Sequence, residues 1–115
     1  MNALAVRSLG FIQIAVGAAM LVVPRFVAGL SRGPLPPTLI VRVLGAREIG
    51  QGVLTATRAD RTTLSLGAAV DISHLASMVV LAAARPRWRR TASASGAVAG
   101  ISAAAGLALA RAGAA

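Results

Sequence analysis

Read for polarity alone, the chain divides into four apolar runs, at about residues 4–23, 38–57, 63–84 and 91–111. Each approaches the roughly 20 helical residues that cross a hydrocarbon core of about 30 Å. The runs are long and rich in Ala, Gly and Leu, with none of the short alternating stretches that make barrel strands, so four transmembrane helices are predicted. The breaks fit that division. Between Pro24 and Pro37 lie Arg25, Arg32, Gly33, Pro34 and Pro36, and proline ends a helix because it brings no backbone donor. Phe26, Val27 and Leu30 beside Arg25 predict a short interfacial turn within this break. Arg58, Asp60 and Arg61 mark a tight second connection, and Arg85 to Arg90 a strongly basic third. The predicted architecture is all-α, one transmembrane domain over residues 1–115, folded as an integral membrane four-helix bundle.

Composition strengthens the membrane reading. Hydrophobic residues are 57% of the chain, charged residues 13%, and the mean hydropathy is +0.77, whereas a soluble protein carries about 25% charged residues. Too little polar surface is present to face water. The net charge of +9 comes from 12 basic residues, all Arg, which together with the abundance of Ala, Gly and Val reads as the codon bias of a GC-rich genome. Nucleic acid is not an expected partner, because Trp88 and two Phe are the aromatic residues present and the arginines sit between apolar runs. Anionic lipid headgroups are the expected partners instead. Trp88 among Arg85, Arg87, Arg89 and Arg90 reads as an interfacial anchor, with the indole at headgroup level. Six arginines in the first and third connections (25, 32, 85, 87, 89, 90) against four in the second connection and the tails (7, 58, 61, 111) put the first and third connections in the cytoplasm and both termini outside. Arg7 ahead of an apolar run resembles the start of a signal peptide, but three further runs favour a retained first helix.

The polar residues inside the runs are the candidate chemistry. The second run carries Arg42, Arg47, Glu48 and Gln51; the third carries Asp71, Ser73, His74 and Ser77. A charge near the bilayer centre costs at least about 2.5–3.5 kcal/mol, so these groups are expected to meet one another between helices. Gly67, Asp71, His74 and Met78 form one stripe, and Gly45, Glu48, Gly52 and Thr55 another. The stripes are expected to face each other, with Arg47 or Arg42 paired to Asp71 or Glu48. The predicted intramembrane polar network is therefore Arg42, Arg47, Glu48, Asp71 and His74. Intramembrane ionisable groups are candidates for a proton or cation path. The plainer reading, favoured by two arginines against two carboxylates, is a neutralised network that fixes helix register. With one His and no Cys, a transition-metal site from Asp71, His74 and Glu48 is not expected. No nucleophilic triad assembles around His74 and no phosphate loop is present, so neither catalysis nor a cofactor is expected.

Two further patterns concern packing. Arg7-Ser-Leu9-Gly10-Phe-Ile-Gln13-Ile14-Ala-Val-Gly17 matches Arg42-Val-Leu44-Gly45-Ala-Arg-Glu48-Ile49-Gly-Gln-Gly52 at a constant offset of 35. In adjacent spans of opposite direction this would be an inverted repeat, with Gln13 and Glu48 at comparable depths from opposite sides. In the fourth run Ala92, Gly96, Gly100, Ala104 and Ala108 recur every four residues, predicting a flat ridge that another helix, in this chain or a second one, can approach closely.

The stretch Arg42-Val-Leu-Gly45-Ala46-Arg47-Glu48-Ile49-Gly-Gln-Gly52, followed by Leu66-Gly67-Ala-Ala-Val-Asp71-Ile-Ser-His74-Leu75, resembles a group of small bacterial membrane proteins of unknown function, frequent in actinobacteria. It also looks like the membrane half of fusion proteins that carry a cyclase/dehydrase-type lipid-binding domain, a domain with no counterpart here. The resemblance implies a four-helix, multi-pass protein of a bacterial plasma membrane without an assigned activity. The leading expectation is a non-enzymatic protein that packs against other transmembrane helices, as a homo-oligomer or as an accessory subunit of a larger membrane complex. The alternative is a small proton-coupled transporter or ion-pathway protein using Glu48, Asp71 and His74. It would be similar in size and span number to the small multidrug exporters, which rely on a first-helix carboxylate where this chain has Gln13. A lipid-handling module, suggested by the fusion relatives alone, is a third.

Overall fold

The structure, a computed structural model, describes residues 2–113, and those residues are mainly helical with short irregular connections and no strand. Helix α1 (Ala3–Val22) begins behind Asn2, whose Oδ1 accepts the Ala5 N–H at 3.2 Å and so satisfies a first-turn donor. Val23 leaves the helical region and Pro24, which needs no donor at a first helical position, opens the short α2 (Pro24–Gly29). Helix α3 (Thr38–Arg58) starts directly after Pro37. It ends at Ala59, held in the left-handed region at φ 48°, and one residue later Asp60 caps α4 (Arg61–Ala84) by accepting the Thr63 N–H at 2.7 Å. A 3₁₀ turn at Pro86–Trp88 leads into α5 (Arg89–Ala112). The ends differ from the hydropathy limits by at most two residues, because the caps at Asn2 and Asp60 and the turn at Pro86 set starts that apolar patterning does not encode.

Three helices are long and apolar enough to cross a membrane: α1, α4 and the Pro86–Ala112 segment, with mean hydropathies of 1.8, 1.7 and 1.5. Helix α3 falls outside that composition, since Arg42, Arg47, Glu48 and Arg58 interrupt it.

The four long helices associate as two antiparallel pairs, α1 with α3 and α4 with α5, and the pairs meet along narrower seams of α1 on α5 and α3 on α4. In the first pair the contact is backbone on backbone. A Cβ placed on Gly17 would lie 2.5 Å from the Gly45 carbonyl oxygen, and one on Gly52 2.5 Å from that of Gly10. The same two positions would meet Ile49 Cγ1 at 2.7 Å and Ile14 Cγ1 at 2.8 Å respectively. Gly10 and Gly45 repeat the equivalence against Ala56 and Leu21. Every one of these contacts maps onto its partner by the offset of 35, so the two matching segments form a pseudo-two-fold pair of opposite direction. This corrects the expected orientation of one stripe: Gly45 and Gly52 face α1, and α4 meets α3 through Gln51, which approaches Gly67.

In the second pair, side chains rest on small residues. Ala92, Gly96, Ala99, Ala103, Gly106 and Ala110 are the buried face of α5. Met78 Cβ would lie 3.2 Å from a Cβ on Gly96, and Leu75 3.6 Å from one on Gly100. The ridge departs from the four-residue pattern. Ala92 and Gly96 belong to it, Gly100 is half-buried, and Ala104 is exposed, because a step of four residues precesses by about 40° per turn while a 4-3-4-3 alternation keeps to one side. Val6, Leu64 and Ala110 close the end where α1, α4 and α5 converge. The outer faces remain apolar, with Phe11, Ile12, Val80 and Ile101 exposed.

Candidate polar site between the helix pairs

The seams between the pairs collect the polar side chains. From α4, Asp71 is 2% exposed and accepts a hydrogen bond from Gln51 Nε2 of α3 at 3.1 Å. Arg47, one turn earlier on α3, places its guanidinium 3.7 Å from Glu48 and 4.0 Å from Asp71. From α1, Gln13 is buried and donates through Nε2 to Ser102 Oγ of α5 at 3.2 Å, while its Oε1 has no hydrogen-bond partner among the described residues. Thr55, also buried, donates to the Gln51 carbonyl at 2.9 Å. Between them Gln13, Gln51, Thr55, Asp71 and Ser102 border a cavity of about 10 Å³. A turn further along, His74 Nε2 and Ser95 Oγ of α5 lie 2.8 Å apart.

Of the five network residues read from the sequence, Arg47, Glu48 and Asp71 come together. His74 sits on the same face of α4 but engages α5, and not Asp71. Arg42 is exposed near the start of α3, and the ion pairs of the described residues are both made by Arg47, so Arg42 stands outside the network. The physical reason is position: Arg42 is five residues into its helix, where a long side chain reaches the polar end and avoids burial. Ser95 and Ser102, in the small-residue fourth run, are not singled out by hydropathy. Their spacing of seven, which places two hydroxyls on one side of α5, was the available signal.

The second polar region is the end where the Pro24–Pro37 and Arg85–Arg90 connections meet. Thr91 Oγ1 donates to the Pro34 carbonyl at 2.8 Å, and Gly33 packs so closely on Thr91 that a Cβ there would lie 2.5 Å from its hydroxyl. This clamp aligns a cleft of about 410 Å³ lined by Pro24, Arg25, Leu35, Pro37, Arg87 and Trp88. The Arg87 guanidinium lies 5.5 Å from the centre of the half-buried Trp88 ring, a cation–π distance. Arg85, Arg89 and Arg90 are exposed, and Arg89 Nε donates back to the Ala82 carbonyl at 3.2 Å. At the opposite end, hydrogen bonds from the Thr63 backbone and hydroxyl, with Arg58 nearby, hold the Asp60 carboxyl below its ordinary pKa.

Compared with protein-family models, curated proteins and solved structures, the chain matches none.

Proposed function

We propose that this chain is an integral membrane protein, a four-helix bundle that acts without catalysis by packing against other transmembrane helices, as a homo-oligomer or as an accessory subunit of a membrane complex. The observation that carries the reading is the size of the interior. The space between the helix pairs measures about 10 Å³, room for one water or ion and far below the roughly 300 Å³ at which organic-ligand pockets begin. The cleft of about 410 Å³ lies at the arginine-rich end beside Trp88 and away from the interior polar residues. Supporting it, the long dimension of 44 Å matches the roughly 40–45 Å of a bilayer with its headgroup layers. Ala97, Ala104 and Ala108 stay exposed on the outer side of α5, leaving a small-residue seam for a second helix. The end bearing Arg25, Arg32, Arg85, Arg87, Arg89 and Arg90 faces the cytoplasm in this reading, with the Trp88 cleft against anionic headgroups. In mild detergent, light scattering should give a protein mass above the 11.5 kDa of one chain, or a partner should copurify. A lone monomer that recovers no partner would sink the proposal.

Polar side chains from all four long helices converge on one point, and this favours a second reading, an ion pathway. Cation or proton flux in proteoliposomes that disappears in Glu48→Gln or Asp71→Asn would raise it above the first.

A further inference from the structure

Arg42 is exposed and does not pair with the interior carboxylates. Arg47 then stands alone against two carboxylates, with its guanidinium nearer Glu48 at 3.7 Å than Asp71 at 4.0 Å. His74 engages Ser95 of α5 and makes no ion pair with either carboxylate among the described residues. A negative charge on Asp71, which is 2% exposed, has Arg47 as its cationic partner, shared with Glu48, and its hydrogen-bonding partner, Gln51, is an uncharged amide. Such a charge is costly in a low-dielectric interior unless something cationic joins it.

The adjoining cavity has the size for such a cation, and half of the residues around it are polar. Gln13 is 4% exposed, its Nε2 is committed to Ser102, and its Oε1 is without a partner among the described residues. Thr55 directs its hydroxyl proton to the Gln51 carbonyl, which leaves its oxygen lone pairs free. Asp71, Gln13, Thr55 and Ser102 thus bring oxygen atoms from α4, α1, α3 and α5 to the edge of about 10 Å³ of space, and an all-oxygen set suits a hard cation. The space is about one water sphere, which excludes organic cations. One buried carboxylate at its edge matches one monovalent ion.

We propose that Asp71, Gln13, Thr55 and Ser102 form a site for one dehydrated monovalent cation of about sodium's size, which neutralises Asp71 and joins the two helix pairs. The proposal rests on the reading that these helices lie in lipid, and it is independent of whether the protein oligomerises.

The test is thermal unfolding of the detergent-purified chain at fixed pH and ionic strength, with sodium chloride replaced stepwise by N-methyl-D-glucamine chloride. Sodium should raise the melting temperature saturably, and potassium should do so less. Asp71→Asn should abolish the sodium dependence and melt no lower than the sodium-free wild type, since it removes the buried carboxylate at constant shape. Gln13→Met, which removes one oxygen and no charge, should weaken the apparent sodium affinity by about tenfold or more and carries the test if Asp71→Asn does not fold. Identical melting in the two salts, a sodium response kept by both variants, or a stability that answers to pH and not to sodium would overturn the site. A chain that stays soluble without detergent would instead overturn the membrane reading, so the two failures are distinguishable.

Discussion

The α1–α3 and α4–α5 pairs both hold antiparallel apolar helices together, yet they do so with different parts of the chain. In α1–α3 four glycines bring carbonyl oxygens to within 2.5–2.8 Å of where a Cβ would sit. In α4–α5 the comparable positions on α5 meet the ends of Leu75 and the Met78 side chain at 3.2–3.6 Å. Backbone cannot retreat and a flexible side chain can. The first pair is therefore rigid and intolerant, and the second adjustable.

The sharpest way to break that contrast is a matched pair of substitutions followed by thermal unfolding in detergent. Gly17→Ala should destabilise by about 3 kcal/mol, the upper end of the ordinary overpacking range, because its methyl would collide with the Gly45 carbonyl. Gly100→Ala meets only Leu75 at ordinary distance and should be neutral or stabilise by up to about 1 kcal/mol through helix propensity. Equal effects at the two sites would remove the distinction. The link between the pairs offers the next effect. Ala59 holds φ at 48° with a Cβ in place, so Ala59→Gly should raise stability by about 1 kcal/mol in the same assay. Ser95→Ala, which removes the His74 contact across the adjustable pair, should cost about 0.6 kcal/mol, the average for interhelical hydrogen bonds in membranes.

The smallest expected effect is a pH dependence at the same link. Asp60 has a folded-state pKa below its ordinary value, so its stabilisation is present above the unfolded pKa of about 3.9 and is lost as pH falls through the lower folded value. Asp60→Asn keeps an acceptor for the Thr63 N–H and cannot titrate. A melting-temperature difference between the two proteins should therefore change between about pH 5 and pH 2 and stay flat above. A constant difference throughout would remove Asp60 from the account.

Run length and Pro/Arg punctuation made the four long helices legible, since burial of about 20 apolar residues needs no knowledge of neighbours. The offset of 35 between Arg7–Gly17 and Arg42–Gly52 was legible too, and with opposite directions it specifies which glycines meet. Choice of partner was not. Periodicity places Gly45, Glu48, Gly52 and Thr55 on related faces of α3 but does not say that the glycines turn to α1 while Gln51 turns to Asp71. Nor does hydropathy register that Arg42 is close enough to a helix end to leave the interior, or that Ser102 in an alanine-rich helix answers Gln13. These depend on three-dimensional register, which a single sequence carries weakly.

The pseudo-two-fold of α1 and α3 also bears on the proposed membrane topology. In that membrane setting, a helix pair that looks alike from either side, with equivalent Arg7 and Arg42 near its opposite ends, would give the insertion machinery no instruction about which way up to lie. That instruction has to come from the arginines beyond the repeat, concentrated around Pro24–Pro37 and Arg85–Arg90. Half of the molecule is thus blind to direction, and the other half, through its basic turns, supplies the compass.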